Sequence, residues 1–168
     1  DFNCENFFPL PEPIIEKDIS RIMSLKNGNQ KMSKSDLSEY SRISLLDDSD
    51  DIIKKIKKAK TADTVMPDQI EEITKLSEVN NLLNIYSGFS GIKKQNLIEK
   101  YKGQNFSNFK SDLSDILIEC MRPITAEVIK LMQDKAYLID ILREGQNKAN
   151  EVAQKTISDV YEIVGLLR

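Results

Sequence analysis

Lys31-Met32-Ser33-Lys34-Ser35 is the segment of this sequence whose residue types can do chemistry. Two ammonium groups three positions apart, two hydroxyls and the backbone N–H groups of a turn suit an anion-binding concavity for a polyphosphate. Asn27-Gly28, a strong turn signal just upstream, is expected to let that loop hinge. A solvated Lys/Ser surface loop has the same composition, so composition alone leaves both readings open. The chain contains no His, which removes the Ser-His and Cys-His nucleophile pairs and the commonest general base near neutral pH. Chemistry here must run on Lys, carboxylates, hydroxyls and backbone groups.

A second charged feature lies downstream. Asp47, Asp48, Asp50 and Asp51 crowd the start of a helical pattern beside Ser49 as a cap, and Lys54, Lys55, Lys57, Lys58 and Lys60 load its C-terminal half. Both charge groups complement the helix dipole. Ile52, Ile53, Ile56 and Ala59 form one apolar stripe, which leaves the lysines on the other faces. Lys54, Lys57 and Lys58 are candidates for phosphate-backbone contacts with RNA, and a well-capped surface helix is the competing reading.

These features need elements to position them. Pro9, Pro11 and Pro13 make residues 1 to 20 an extended connecting segment. Arg21 to Leu25 reads as a strand running into the turn at Asn27-Gly28 and delivering the chain to the loop. From Asp47 onward the pattern is helical. Pro67 suits the first turn of a helix, and Val79, Leu82, Leu83, Tyr86 and Phe89 repeat at helical spacing before Gly88 and Gly91 end the pattern. Ile92 to Tyr101 is a short helix closed by Gly103. Phe109, Leu113, Ile116, Leu117 and Cys120 mark another, which Pro123 ends or kinks, and a long apolar stripe from Tyr137 to Leu167 follows. Tyr86, Phe89, Phe106 and Phe109 sit on these stripes and are expected in the core rather than as base-stacking platforms.

With 40% hydrophobic and 30% charged residues, the composition is that of a globular protein with a real core. The net charge of −3 argues against a bulk nucleic-acid binder but leaves room for a local basic face. No apolar run approaches the roughly 20 residues of a membrane span. Cys4 and Cys120 form no metal-ligand pattern, so structural zinc and a disulfide framework are not expected. Beginning at Asp1 with no initiator Met and no signal sequence, the chain reads as a piece of something longer.

Lys-Met-Ser-Lys-Ser after a strand and a turn is the signature of class I aminoacyl-tRNA synthetases. Arg21-Ile-Met-Ser-Leu25, Asp36, Tyr40-Ser-Arg-Ile43, Lys55-Ile56, Lys58-Ala-Lys-Thr61, Asn81-Leu-Leu-Asn-Ile-Tyr86, Phe106 and Phe109-Lys110 resemble the bacterial tryptophanyl branch of that family, through nearly all of the chain. One departure is Leu37, where the family often has Pro; it bears on how firmly the following turn is held. The resemblance implies a mainly α fold: a helical, anticodon-binding-like bundle over residues 47–168. The last strand and signature loop of a Rossmann-type catalytic domain, residues 1–46, would precede it.

It implies ATP-dependent activation of tryptophan to the adenylate, then transfer to tRNA(Trp), with Mg2+ carried on the ATP rather than held by protein ligands here. Lys31 and Lys34 take the catalytic role, and Ile22, Lys31, Met32, Ser33, Lys34 and Ser35 line the ATP site, with Ile22 against adenine. The family's His-Ile-Gly-His-like signature and tryptophan pocket have no counterpart in the chain, which is expected to be inactive alone. A homodimeric, cytoplasmic full-length protein with no membrane or DNA partner is the matching expectation. Two other readings stay open: an isolated helical tRNA-binding module, and a tyrosyl-tRNA synthetase-like enzyme or other nucleotidyl transferase using the same loop.

Overall fold

A computed structural model describes residues 7–15 and 19–166. It places six α-helices in chain order: α1 Ser49–Lys58, α2 Ile70–Lys75, α3 Ser77–Ser90, α4 Lys94–Tyr101, α5 Phe106–Gln133 and α6 Lys135–Val164. A single 3-10 turn, Glu39–Ser41, precedes them. The chain divides into two compact units, one of residues 15–129 and one of residues 1–14 with 130–168. The signature loop and the lysine-rich helix both belong to the first.

The mainly helical fold is as expected, and several of its boundaries differ for identifiable reasons. Asp48, not Ser49, caps α1: its backbone is extended and its carboxylate accepts the Asp51 N–H. Ser49 is already helical. Pro67 lies ahead of α2 rather than inside its first turn. Gly91 and Gly103 occupy the left-handed region at φ 70° and 69°, a conformation that costs glycine little; Gly91 closes α3 and Gly103 follows α4. α5 runs through Pro123 to Gln133 instead of ending there. Proline removes one hydrogen bond from a helix, and here the loss falls just past Met121, the last buried residue of α5, where no tight packing constrains the backbone.

In the first unit, Ile52 and Ile56 of α1, Leu82, Leu83 and Tyr86 of α3, Leu97 and Tyr101 of α4 and Phe109, Leu113 and Leu117 of α5 share one core. The rings of Tyr86, Tyr101 and Phe109 meet at centroid distances of 5.3 to 6.1 Å, and the two phenol oxygens lie 3.1 Å apart. Tyr86, Phe106 and Phe109 are core residues as expected; Phe89, in the last turn of α3, is 44% exposed. In the second unit, α6 is capped by Asp134, whose carboxylate accepts the Tyr137 N–H, and is closed by Gly165 in the left-handed region. None of its residues is fully buried, although Leu138, Val160, Ile163 and Val164 of its apolar stripe are partly so. No described helix is long and apolar enough to cross a membrane.

Candidate functional site

The expected strand narrows to one antiparallel bridge, between Met23 and Lys31. Ser24 N–H donates to the Gln30 carbonyl at 2.7 Å and Met32 N–H to the Ile22 carbonyl at 3.1 Å, which closes a short hairpin around the turn. A longer ladder does not form because the outer edges are satisfied by other segments. Leu25 N–H donates to Ser41 O, Leu25 O accepts from Lys60 N–H, and the Asn81 side chain takes both backbone groups of Met23 at 2.8 Å each. Leu25 itself is buried in the core.

Gly28 makes a close approach that the sequence did not suggest. Its φ is not in the left-handed region, and it is buried against the start of α3, where a Cβ would lie 2.5 Å from Glu78 N and Ser77 C. Only a residue without a side chain allows that approach.

Past the bridge the chain turns outward. Lys31, Ser33, Lys34 and Ser35 are exposed, whereas Ile22 and Met32 are partly buried and pack against the core. The Ser33 and Ser35 hydroxyls lie 3.0 Å apart, and Ser33 Oγ accepts the Ser35 N–H at 3.3 Å. Asp36 turns away from the loop: its Oδ1 accepts the Ser38 N–H, and its carbonyl accepts from Arg42, whose other nitrogen pairs with Glu39 at 2.6 Å. Leu37 is fully exposed. Neither the Lys31 nor the Lys34 ammonium has an ion-pair or hydrogen-bond partner among the described residues. The result is a braced hairpin stem carrying two uncommitted cations at neighbouring exposed positions.

The α1 lysines are sorted individually. Lys55, expected on a solvent face, is 5% exposed and holds both oxygens of the buried Asp47 carboxylate at 2.6 and 2.7 Å. Asp47 also accepts the Ser44 N–H, so this pair ties the segment after the loop to α1. Lys58 sits 4.1 Å over the Tyr40 ring, and Lys54 shares a shallow pocket with Glu39, Asp47 and Asp51. Lys57 lines a cavity of about 630 Å³ together with Lys110, Asn105, Phe106, Ser107 and Asp115. Lys110 donates to the Ala59 and Lys57 carbonyls at 2.7 and 3.3 Å, satisfying the C-terminal end of α1, and burial pushes its pKa down. Sequence reasoning missed Asn81, Arg42, the Asp47–Lys55 pair and the capping role of Lys110. Each contact depends on a chain reversal or on a distance of 51 to 58 residues, for which local patterning carries no signal. No cluster of three His, Cys, Asp or Glu residues able to hold a metal occurs among the described residues.

A braced, strand-derived hairpin presenting Lys-Met-Ser-Lys-Ser ahead of a helical body defines a class I tRNA synthetase. Residues 1–122 match the family model for class I tRNA synthetases (W and Y), and the chain belongs to that family. Within it the similarity is to the tryptophan branch. The chain is 42% identical over 162 residues to a tryptophan–tRNA ligase of Mesorhizobium japonicum, covering 96% of this chain and 46% of the relative. It is 43% identical over 158 residues to that of Rickettsia felis, covering 94% and 47%. The chain thus spans about half the length of the curated relatives it matches. Its fold matches a tryptophanyl-tRNA synthetase from Mycoplasma pneumoniae with a TM-score of 0.73 at 24% identity, covering 95% of this chain and 49% of that one. A Campylobacter jejuni enzyme, solved with ADP and tryptophan, matches at 0.63 and 22%, covering 97% and 50%.

Proposed function

We propose that this chain is the part of a tryptophan–tRNA ligase that grips the ATP phosphates and meets tRNA, with Lys31 and Lys34 holding the departing pyrophosphate. The observation that carries the reading is the pair of uncommitted ammonium groups on a stem fixed from behind. During adenylate formation the tryptophan carboxylate attacks the α-phosphorus and the bond to pyrophosphate breaks, so negative charge grows on the leaving group. Cations placed there stabilise the transition state more than bound ATP. Ser33 and Ser35 offer hydroxyls to the same group, Met32 and Ile22 line the nucleotide side, and Mg2+ arrives on the phosphates as part of the substrate.

Residues 1–46 then serve the catalytic domain and residues 47–168 the tRNA, a functional division that falls inside the compact unit 15–129. The tRNA role of Lys54, Lys57 and Lys58, the homodimeric state and the cytoplasmic location belong to the same proposal. The identity of the relatives supports tryptophan over tyrosine. Amino-acid-dependent ATP–pyrophosphate exchange by the full-length protein carrying this chain tests it: exchange with tryptophan and not tyrosine is expected, and the reverse preference would overturn the assignment.

A further inference from the structure

We propose that Asn81 is a positioning residue for the Lys31–Ser35 loop, acting through the backbone of Met23; the inference rests on the reading of that loop as the pyrophosphate grip. Asn81 lies in α3 among Val79, Leu82, Leu83 and Ile85, all buried, and is itself 2% exposed. An apolar side chain there would pack the core without desolvating an amide, and a buried amide is tolerated only when it is hydrogen-bonded. Its partners are not local. Met23 N–H donates to Asn81 Oδ1 and Asn81 Nδ2 donates to Met23 O, both at 2.8 Å across 58 residues of sequence.

The bridge geometry explains why that amide is needed. Met23 and Lys31 face each other between the flanking bonds Ser24–Gln30 and Ile22–Met32, so they form a non-hydrogen-bonded antiparallel pair. In such a pair each residue's own N–H and C=O point away from its partner, toward the next strand. For Met23 that place is taken by the Asn81 amide, which offers one donor and one acceptor in the arrangement of a peptide group. Asn81 therefore clamps the outer edge of the residue whose inner edge faces Lys31.

A second contact from the same helix removes the remaining freedom of the stem. Gly28, at the hairpin turn, is seated on Ser77 and Glu78, and the Glu78 carboxylate pairs with Lys60 at 3.0 Å while Lys60 N–H holds Leu25 O. The first two turns of α3 thus fix the hairpin at both Met23 and Gly28, leaving the lysine-bearing arm as the exposed part. Charged groups that act on a transition state need placement within a fraction of an ångström, and a 1 Å error costs on the order of 100-fold in rate.

Asn81→Asp in the full-length protein keeps the acceptor for Met23 N–H and sets an oxygen against Met23 O. Tryptophan-dependent ATP–pyrophosphate exchange should fall roughly 10- to 100-fold in turnover with KM for tryptophan unchanged. Transfer of tryptophan from added tryptophanyl adenylate to tRNA should keep its wild-type rate, and hydrogen exchange should quicken in the peptide 21–35 but not in α4. A merely structural role would lower exchange and transfer by the same factor; that result, or wild-type exchange, overturns the proposal. If Asn81→Asp does not fold, Asn81→Ser is measured in the same way. Lys34→Ala run in parallel separates the two claims. Wild-type exchange in Lys34→Ala defeats the reading of the loop, whereas its loss there with wild-type exchange in the Asn81 variant defeats only the role of Asn81.

Discussion

The loop at Lys31–Ser35 and the helix face at Lys54–Lys58 are both lysine clusters, and the structure treats them in opposite ways. In the loop the stem is held from behind by Asn81, by Ser41 and by the start of α3 against Gly28, while neither ammonium group has a partner among the described residues. On α1 Lys55 is buried against Asp47, Lys58 lies on Tyr40, Lys54 lines a pocket with Glu39, Asp47 and Asp51, and Lys57 opens onto the larger cavity beside Lys110. Density of charge along a sequence therefore says little about what the charges do. What matters is whether each cation is already committed, because a committed cation has spent its interaction energy inside the fold.

The sharpest way to break this contrast is to remove a committed lysine. Lys55→Met leaves the Asp47 carboxylate buried without its cation, and breaking a buried pair from one side costs about 3–5 kcal/mol. Urea denaturation should show that loss, and Asp47→Leu combined with Lys55→Met should recover most of it, since an apolar pair of similar volume needs no desolvation. A single mutant within about 0.5 kcal/mol of wild type would show that Lys55 is a surface residue after all.

Lys34→Ala, by contrast, should leave stability almost unchanged and act on rate. Losing one preorganised charged donor where charge develops removes roughly 3–4 kcal/mol of transition-state stabilisation, a loss on the order of 100- to 1000-fold. Lys31→Ala should fall in the same direction, and the double mutant should lose less than the product, because both groups serve one anion. Pre-steady-state adenylate formation at saturating ATP in the full-length protein is the measurement. An unaltered rate with a raised KM would make the lysines a ground-state ATP clamp.

Much of this contrast was legible in the sequence, and the rest was not, for physical reasons. The loop is a contiguous string, so the exposed positions of Lys31 and Lys34 and the turn at Asn27-Gly28 could be read directly. The helices followed from apolar spacing, and Gly91 and Gly103 marked chain reversals correctly. Three things escaped. Lys55 could not be told from its neighbours, because burial of a lysine depends on a carboxylate that a loop brings back to it. Arg21 to Leu25 had strand composition but pairs only through one bridge to Lys31, and its outer edge groups found Asn81, Ser41 and Lys60 instead. Proline at 123 predicts an end or a kink of the helix, and α5 does not end there because an exposed stretch tolerates the missing bond.

A smaller effect tests the sorting on α1 itself. If only the lysine that opens onto the cavity meets tRNA phosphate, Lys57→Ala in the full-length protein should weaken tRNA binding and reduce the salt slope of log K by about 1. Lys54→Ala, removing a lysine from the pocket it lines with Glu39, Asp47 and Asp51, should change that slope little. Fluorescence titration of tRNA(Trp) across salt concentrations decides between them. Equal slopes for both variants and the wild type would return the whole face to a solvated surface.

The smallest effect expected is at an exposed committed lysine, Lys100, whose pair with Asp112 at 2.8 Å joins α4 to α5. The Lys100 hydrogen bond, reinforced by the Tyr101 hydroxyl, holds the Asp112 carboxyl below its usual range; Asp112 in turn raises Lys100. The signs set two separate windows. Asp112, lowered, contributes stability that is complete above the ordinary carboxylate range near pH 4 and is lost as pH falls through it toward the folded value. Lys100, raised, contributes stability that is complete below its ordinary value near pH 10.4 and is lost as pH rises through the folded one. Tyr101, raised first by its own burial and then by Asp112, stays protonated across the neutral range and keeps donating. Between about pH 5 and 9 the pair is therefore constant. Its size is limited by exposure: Asp112 is 40% and Lys100 55% exposed, so solvent screening holds the contribution to about 1 kcal/mol or less. Asp112→Asn should flatten the acid limb of stability against pH below about pH 4.5 while lowering the plateau by no more than that amount. A loss on the scale of Lys55→Met would mean that commitment, rather than burial, determines what a lysine contributes, and an unchanged acid limb would mean that neither Lys100 nor Tyr101 favours the Asp112 carboxylate in the folded protein.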